Sequence, residues 1–184
     1  QSHAEGGFTL ASALYSHAEG YFVTASGQSS HAEGALTRAT NTYAHAEGQQ
    51  TLASGQVSHT EGQYTTASAT AGHAEGYKTR VLGNWSHAEG WFTLATGQYA
   101  HAEGYYVTAS GQGSHAQGYQ NIAEGMFSFA GGGDSKAEAQ GSTALGFGLI
   151  ASKSYGTVLG MYNERGIADS LFTVGVGTAS EEKD

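Results

Sequence analysis

All nine histidines of this chain fall in one column, each 14 residues after the last: His3, His17, His31, His45, His59, His73, His87, His101 and His115. They sit inside a recurring pentapeptide, seen at Ser2-His3-Ala4-Glu5-Gly6 and again at Ser16-His17-Ala18-Glu19-Gly20. The frame outlives the histidines, passing through Ser128-Phe129-Ala130-Gly131-Gly132, Ser142-Thr143-Ala144-Leu145-Gly146 and Gly156-Thr157-Val158-Leu159-Gly160. Twelve registers fit one template. So strict a period means stacked structural units, each unable to bury its own face alone.

Within one repeat, small and larger residues alternate with period two, which is the strand signal. Ser16, Ala18 and Gly20 take one face and His17 and Glu19 the other; Thr37 with Ala39, and Thr51 with Ala53, continue the small face. Two short strands per coil follow, each of about five residues, with glycine-centred turns between them. A coil this small leaves room inside only for Ala, Ser, Thr, Val or Gly and forces larger side chains outward. Stacked about 4.8 Å apart, twelve coils make a rod of roughly 55 Å. A helical repeat fails on the period and on the glycine and β-branched content. Alanine and serine bury little apolar area, so the rod is expected to need partners, and self-association is the economical source.

The composition excludes several classes. Charged residues are 12% of the chain against about 25% in ordinary globular proteins. Proline and cysteine are absent, so proline-rich linkers, disulfides, thiolate metal sites and cysteine nucleophiles are out. A formal charge of −9 argues against nucleic acid as a partner. No run approaches the roughly 18 apolar residues of a membrane-spanning helix, so a soluble segment without membrane insertion is expected. The start at Gln1, one residue before a register, reads as a piece of a longer fibre.

Residues 1–163 resemble the head repeats of trimeric autotransporter adhesins, the YadA-type head; Ser142-Thr143-Ala144-Leu145-Gly146 and Gly156-Thr157-Val158-Leu159-Gly160 carry the likeness. The Ser-His-Ala-Glu-Gly version also resembles repeats of bacteriophage tail and fibre proteins. The resemblance implies an all-β, left-handed parallel β-roll that assembles as a homotrimer. The stretch from Val158 to Asn163 with Leu171 to Thr178 resembles the segment that closes such repeats in phage proteins, where a self-cleaving chaperone domain often follows. The expected organisation is a β-roll head over 1–163 and an exit segment over 164–184. The frame is expected to break after Asn163, because Val174 stands where the next register glycine belongs.

In that family the two outward positions of the motif are apolar and face the trimer axis; here they are His and Glu. The resemblance therefore implies an interface made of His3, Glu5, His17, Glu19, His31, Glu33, His45, Glu47, His59, Glu61, His73, Glu75, His87, Glu89, His101, Glu103 and His115, continued by an apolar seam of Phe129, Leu145 and Leu159. Stacked glutamates repel one another, and the adjacent histidines are the only cations dense enough to compensate. A ladder of His–Glu bonds between chains is expected, with histidine pKa values raised by the carboxylates and with acid that protonates Glu weakening it.

His-x-Glu pairs also invite metal and catalytic readings. A catalytic pair needs one site whose neighbours differ from the scaffold, whereas these pairs repeat, so a structural column, no catalysis, no metal and no cofactor are expected. The aromatic residues are the better binding candidates, since all eleven tyrosines and both tryptophans fall in three columns flanking the turns. Rows of Tyr and Trp suit stacking on sugars or on a receptor protein. The stretch that departs most from the template holds Tyr77, Lys78, Arg80, Trp85 and Trp91, and with Tyr99 and Tyr105 it forms the candidate receptor surface. The reading is a non-enzymatic adhesion head or shaft of a bacterial surface adhesin or phage tail fibre. It is extracellular, on a bacterial surface or a virion tail, and meets a host-cell receptor or glycan. A purely structural spacer carrying a binding or self-cleaving domain is the alternative, and a metal- or ice-binding solenoid a lesser one.

Overall fold

A computed structural model describes residues 1–163 and 172–176. Among them every regular element is a β-strand, arranged as a parallel solenoid whose long strands build one sheet of 13 strands and whose short strands build a second of 11. Successive long strands pair in register with an offset of one repeat: His3 lies against His17, Glu5 against Glu19, His17 against His31. The side-chain period thus becomes a set of straight columns running along the rod.

The inward columns are the expected ones. Ala18, Ala32, Ala46, Thr60, Ala74, Ala88, Ala102, Ala116, Ala130 and Ala144 are fully buried on the long strands. Across from them lie Ala25, Ala39, Ala53, Ala67, Val81, Ala95 and Ala109 on the short strands, also fully buried. The serine at the head of the motif seals the turn before it: Ser16, Ser30, Ser58 and Ser142 each donate their hydroxyl to the carbonyl three residues back at 2.7 Å.

Three expectations need correction. The second strand of each coil is only two residues long, as in Thr24–Ala25 and Leu52–Ala53, because the chain turns again almost at once. The interior also admits more than the five small residue types, since Leu149 and Asn121 are fully buried in the column otherwise held by Val23, Thr37, Thr51, Thr65, Thr79, Thr93 and Val107. Asn121 is accommodated because its polar atoms are used: the amide donates to the carbonyls of Gln117 and Gly132, and Oδ1 accepts from Ser135 N at 2.8 Å.

The turns, third, are not centred on glycine. The left-handed corner residues come every seven positions, and most are bulky: Phe8, Tyr15, Phe22, Ser29, Leu36 and Tyr43, all with φ between 53° and 60°, open the series. Such a conformation costs an L-residue about 1 kcal/mol or more. From Tyr15 onward it is held by the stack, because each corner N–H donates to a carbonyl of the preceding coil, as Phe22 to Gly7 and Leu36 to Tyr21 at 2.9 Å. The motif glycine has another task. At Gly20 the backbone has φ of +124° and an added Cβ would lie 2.0 Å from the carbonyl oxygen of Gly34, so only glycine allows the coils to approach there.

The 14-residue frame breaks after Asn163 as expected. Strand Phe172–Val176 still joins the long-strand sheet, pairing Thr157 with Phe172 and Gly160 with Gly175. The offset is 15 residues instead of 14, so the frame slips by one and the sheet goes on. Among the described residues the last short strand is Ile150–Ala151: Ile150 N donates to the side-chain Oδ1 of Asn163 at 2.7 Å, and Asn163 Nδ2 donates to Ile150 O at 2.9 Å. In earlier coils the matching N–H meets a backbone carbonyl, as Arg38 N meets Thr51 O. The Asn163 side chain therefore imitates the backbone of one more coil. The rest of the expected exit segment lies outside the described residues.

Candidate functional site

The long strands carry His and Glu on their outer face, two residues apart and therefore on the same side of the sheet. In-register pairing brings each imidazole over the next. From His31 to His87 the rings of successive coils lie 4.7 Å apart, tilted by only 4° to 7°. Stacking dries the column: the His3 side chain is 61% exposed, but those of His45, His59 and His73 are 36% exposed.

Each histidine from His3 to His101 faces the glutamate of its own strand through Nε2, and His115 stands beside Gln117. The separations to Oε2 run from 3.4 Å at His45–Glu47 to 3.9 Å at His59–Glu61. His3–Glu5, at 3.5 Å, makes a weak hydrogen bond, and the other pairs make none. The Nε2 atoms of His17, His31, His45, His59, His73, His87, His101 and His115 are closed to solvent and meet no hydrogen-bond partner.

Within one chain the electrostatics run against raised histidine pKa values. His31, His59, His87 and His115 are all shifted downward, chiefly because burial disfavours the charged ring. Neighbouring histidines push the same way, and the glutamates oppose with the smaller effect. Glu75 is shifted upward, first by burial and then by Glu61 and Glu89 in the coils on either side. Within one chain, like groups stacked along the rod outweigh unlike groups along the strand.

The apolar continuation occupies two columns. Phe129 follows His115 in the ring column, 5.2 Å from it. Leu145 and Leu159 instead continue the glutamate column, paired through Gly131, which follows Gln117. Both columns meet at Gly131: an added Cβ there would lie 3.0 Å from Leu145 Cδ1 and from Phe129 Cε1, so these side chains lean together over the glycine. Val174, 55% exposed, extends the seam opposite Leu159. The slip of one residue in the frame hid it from a reading of the 14-residue period.

The aromatic residues line the two turns of the coil. At the turn after the long strand, Tyr77 stacks on Trp91 at 4.1 Å and Tyr105 on Tyr119 at 5.5 Å. Beside them Phe92 stacks on Tyr106 at 4.8 Å, and Lys78 Nζ lies 4.8 Å from the Phe92 ring and 5.3 Å from that of Tyr77. Of the candidate receptor residues, the fold thus gathers Tyr77, Lys78, Trp91 and Tyr105. Trp85 and Tyr99 stack on each other at 5.3 Å, but at the other turn, half a coil along the chain. Arg80 stands exposed on a short strand. Phe92, Tyr106 and Tyr119 complete the first cluster; their spacing of 14 from Lys78, Phe92 and Tyr105 was the signal that places them.

Fold and surface define a parallel β-solenoid with an outward His–Glu column and stacked aromatic corners. The YadA head domain repeat matches this chain twice, over residues 109–135 and 132–148. Both copies fall where the His–Glu pair gives way to Gln117, Phe129 and Leu145, while the residues before them carry the departures from that pattern. Residues 109–148 therefore carry YadA-type head repeats, and the YadA head is an adhesin domain. No curated protein matches the chain.

Proposed function

We propose that this chain is a non-enzymatic attachment head or shaft, a homotrimer of left-handed β-rolls displayed outside the cell on a bacterial surface adhesin or a phage tail fibre. Residues 1–163 form the head, and 164–184 lead out of it. The His–Glu column and the seam of Phe129, Leu145 and Leu159 face the trimer axis. The corner of Tyr77, Lys78, Trp91 and Tyr105 meets a host-surface receptor or glycan.

One observation carries the reading: a core of Ala, Ser and Thr sits beneath rows of large exposed apolar side chains, among them Phe8, Phe22, Trp91, Tyr105 and Leu145. That inversion favours a partner surface. The YadA-type repeats support trimers and attachment as the partners in question. Sedimentation equilibrium at neutral pH tests the assembly, with a trimer expected and a folded monomer refuting it. Binding of the isolated chain to host cells or a glycan array tests attachment. The spacer reading rests on the uniformity of the His–Glu column over eight successive coils, and a trimer that binds neither cells nor glycans would favour it.

A further inference from the structure

The His–Glu column has a property that an attachment surface does not need. A buried polar atom normally finds a partner, yet Nε2 after Nε2 along the column is shut from solvent and unpaired. The nearest oxygen stands 3.4 Å away at His45–Glu47 and 3.6 Å at His73–Glu75. That is too long for a strong hydrogen bond. It matches the ligand-to-ligand edge of about 3.3 Å in a tetrahedral site built from metal–nitrogen and metal–oxygen bonds of about 2.0–2.1 Å.

The stacked fold adds a third donor from the next coil. The ligand atoms of His45, Glu47 and His59 all lie within 4.8 Å of one another, and so do those of His73, Glu75 and His87. We propose that the column binds divalent transition-metal ions of the zinc class, one held by His45, Glu47 and His59 and the next by His73, Glu75 and His87. Two imidazoles and one carboxylate suit zinc, copper or nickel and do not suit calcium or magnesium, which take oxygen ligands. The second imidazole closes on the ion by turning about its side-chain torsions, a motion open to a ring about a third exposed.

The spacing is also favourable. The two triads share no residue and lie two coils apart, about 9.6 Å along the rod. Ions in every coil would stand at half that distance with twice the mutual repulsion. Each triad leaves one coordination position open toward the outer face, where water or a group of an associated chain can enter. The site is complete within one chain and does not depend on the trimer.

The test is calorimetric titration of chelator-stripped protein with zinc(II) alone at neutral pH, with X-ray absorption at the zinc edge on the loaded sample. Submicromolar affinity and a spectrum with two imidazoles per ion are expected. Replacing His45, His59, His73 and His87 together by Gln should lower the stoichiometry by two ions per chain, while His3→Gln leaves it unchanged. Circular dichroism reports whether the fourfold variant folds. If it does not, the pair Glu47→Gln and Glu75→Gln carries the test, with binding weakened at least about tenfold at two ions per chain. Binding no tighter than about 100 µM, a spectrum without imidazole, or unchanged stoichiometry and affinity in the folded variants overturns the proposal.

Discussion

Replacing Gly90 by Ala tests the claim that the motif glycine exists for the approach of one coil to the next. Gly90 has φ of +109°, and the new Cβ would stand 2.2 Å from the carbonyl oxygen of Gly104 and 3.0 Å from its nitrogen. Real contacts to Cβ do not come that close, and the obstacle is backbone, which cannot swing aside as a side chain can. The strained backbone contributes about 1–3 kcal/mol. Separating the coils to relieve the clash loosens the pairing of Gly90 with Gly104, and one or two ladder bonds lost add about 1 kcal/mol each. The sum is about 2–5 kcal/mol, which for a chain of this size lowers the midpoint of thermal unfolding by roughly 10 °C. The control is Gly113→Ala. There φ is +61°, the value that bulky residues adopt at the other corners, and the nearest atom is the movable ring of Phe127 at 2.7 Å. That variant should shift the midpoint by no more than about 3 °C. Thermal melts followed by circular dichroism decide it, and equal shifts for the two variants would refute the reasoning.

The histidine column predicts a fall in stability with mild acid. His31, His59, His87 and His115 are shifted below 6.5 in the folded chain, so they take up protons more readily when unfolded. Their contribution is intact above about pH 6.5 and is lost as pH falls through their folded values. Glu75, shifted above 4.5, acts in the opposite sense, its contribution being full below that value and lost as pH rises through the folded one, so its protonation relieves strain within a chain. The melting temperature should therefore drop between pH 7 and pH 5, and a flat or rising profile would contradict the stacked column. Asn121→Ala leaves Ser135 N and two carbonyls without their buried partner, and urea melts should show a loss of about 2–4 kcal/mol. Trp91→Ala with Tyr105→Ala should reduce attachment to cells or glycans at least about tenfold with the fold intact, whereas Trp85→Ala with Tyr99→Ala, at the other turn, should have the smaller effect; surface plasmon resonance on immobilised glycans gives the comparison.

The repeat and its inward columns were legible because a narrow coil tests every interior position for size, and the sequence answers with Ala, Ser and Thr every 14 residues. The corners were not. Left-handed Tyr15, Phe22 and Leu36 violate local preference, and hydrogen bonds from the neighbouring coil hold them there, a force invisible to a reading of one repeat. The downward histidine shifts within one chain were hidden for a related reason. Along the strand His31 meets Glu33, which argues for a raised pKa, but along the rod it meets His17 and His45, and stacking removes water from the column. The candidate receptor residues lay close in sequence between Tyr77 and Tyr105, yet a coil of two turns sends Trp85 and Tyr99 to one corner and Trp91 and Tyr105 to the other.

The uniform joint between coils makes the length of this rod a quantity that heredity can adjust. Because His17 meets His31 in the same way that His87 meets His101, duplication or loss of one repeat's worth of gene keeps the reading frame and leaves every remaining joint as it was. The tandem DNA that encodes such a repeat is itself prone to slipped copying. Reach can thus vary between close descendants in steps of about 5 Å, with no new core to evolve at any step.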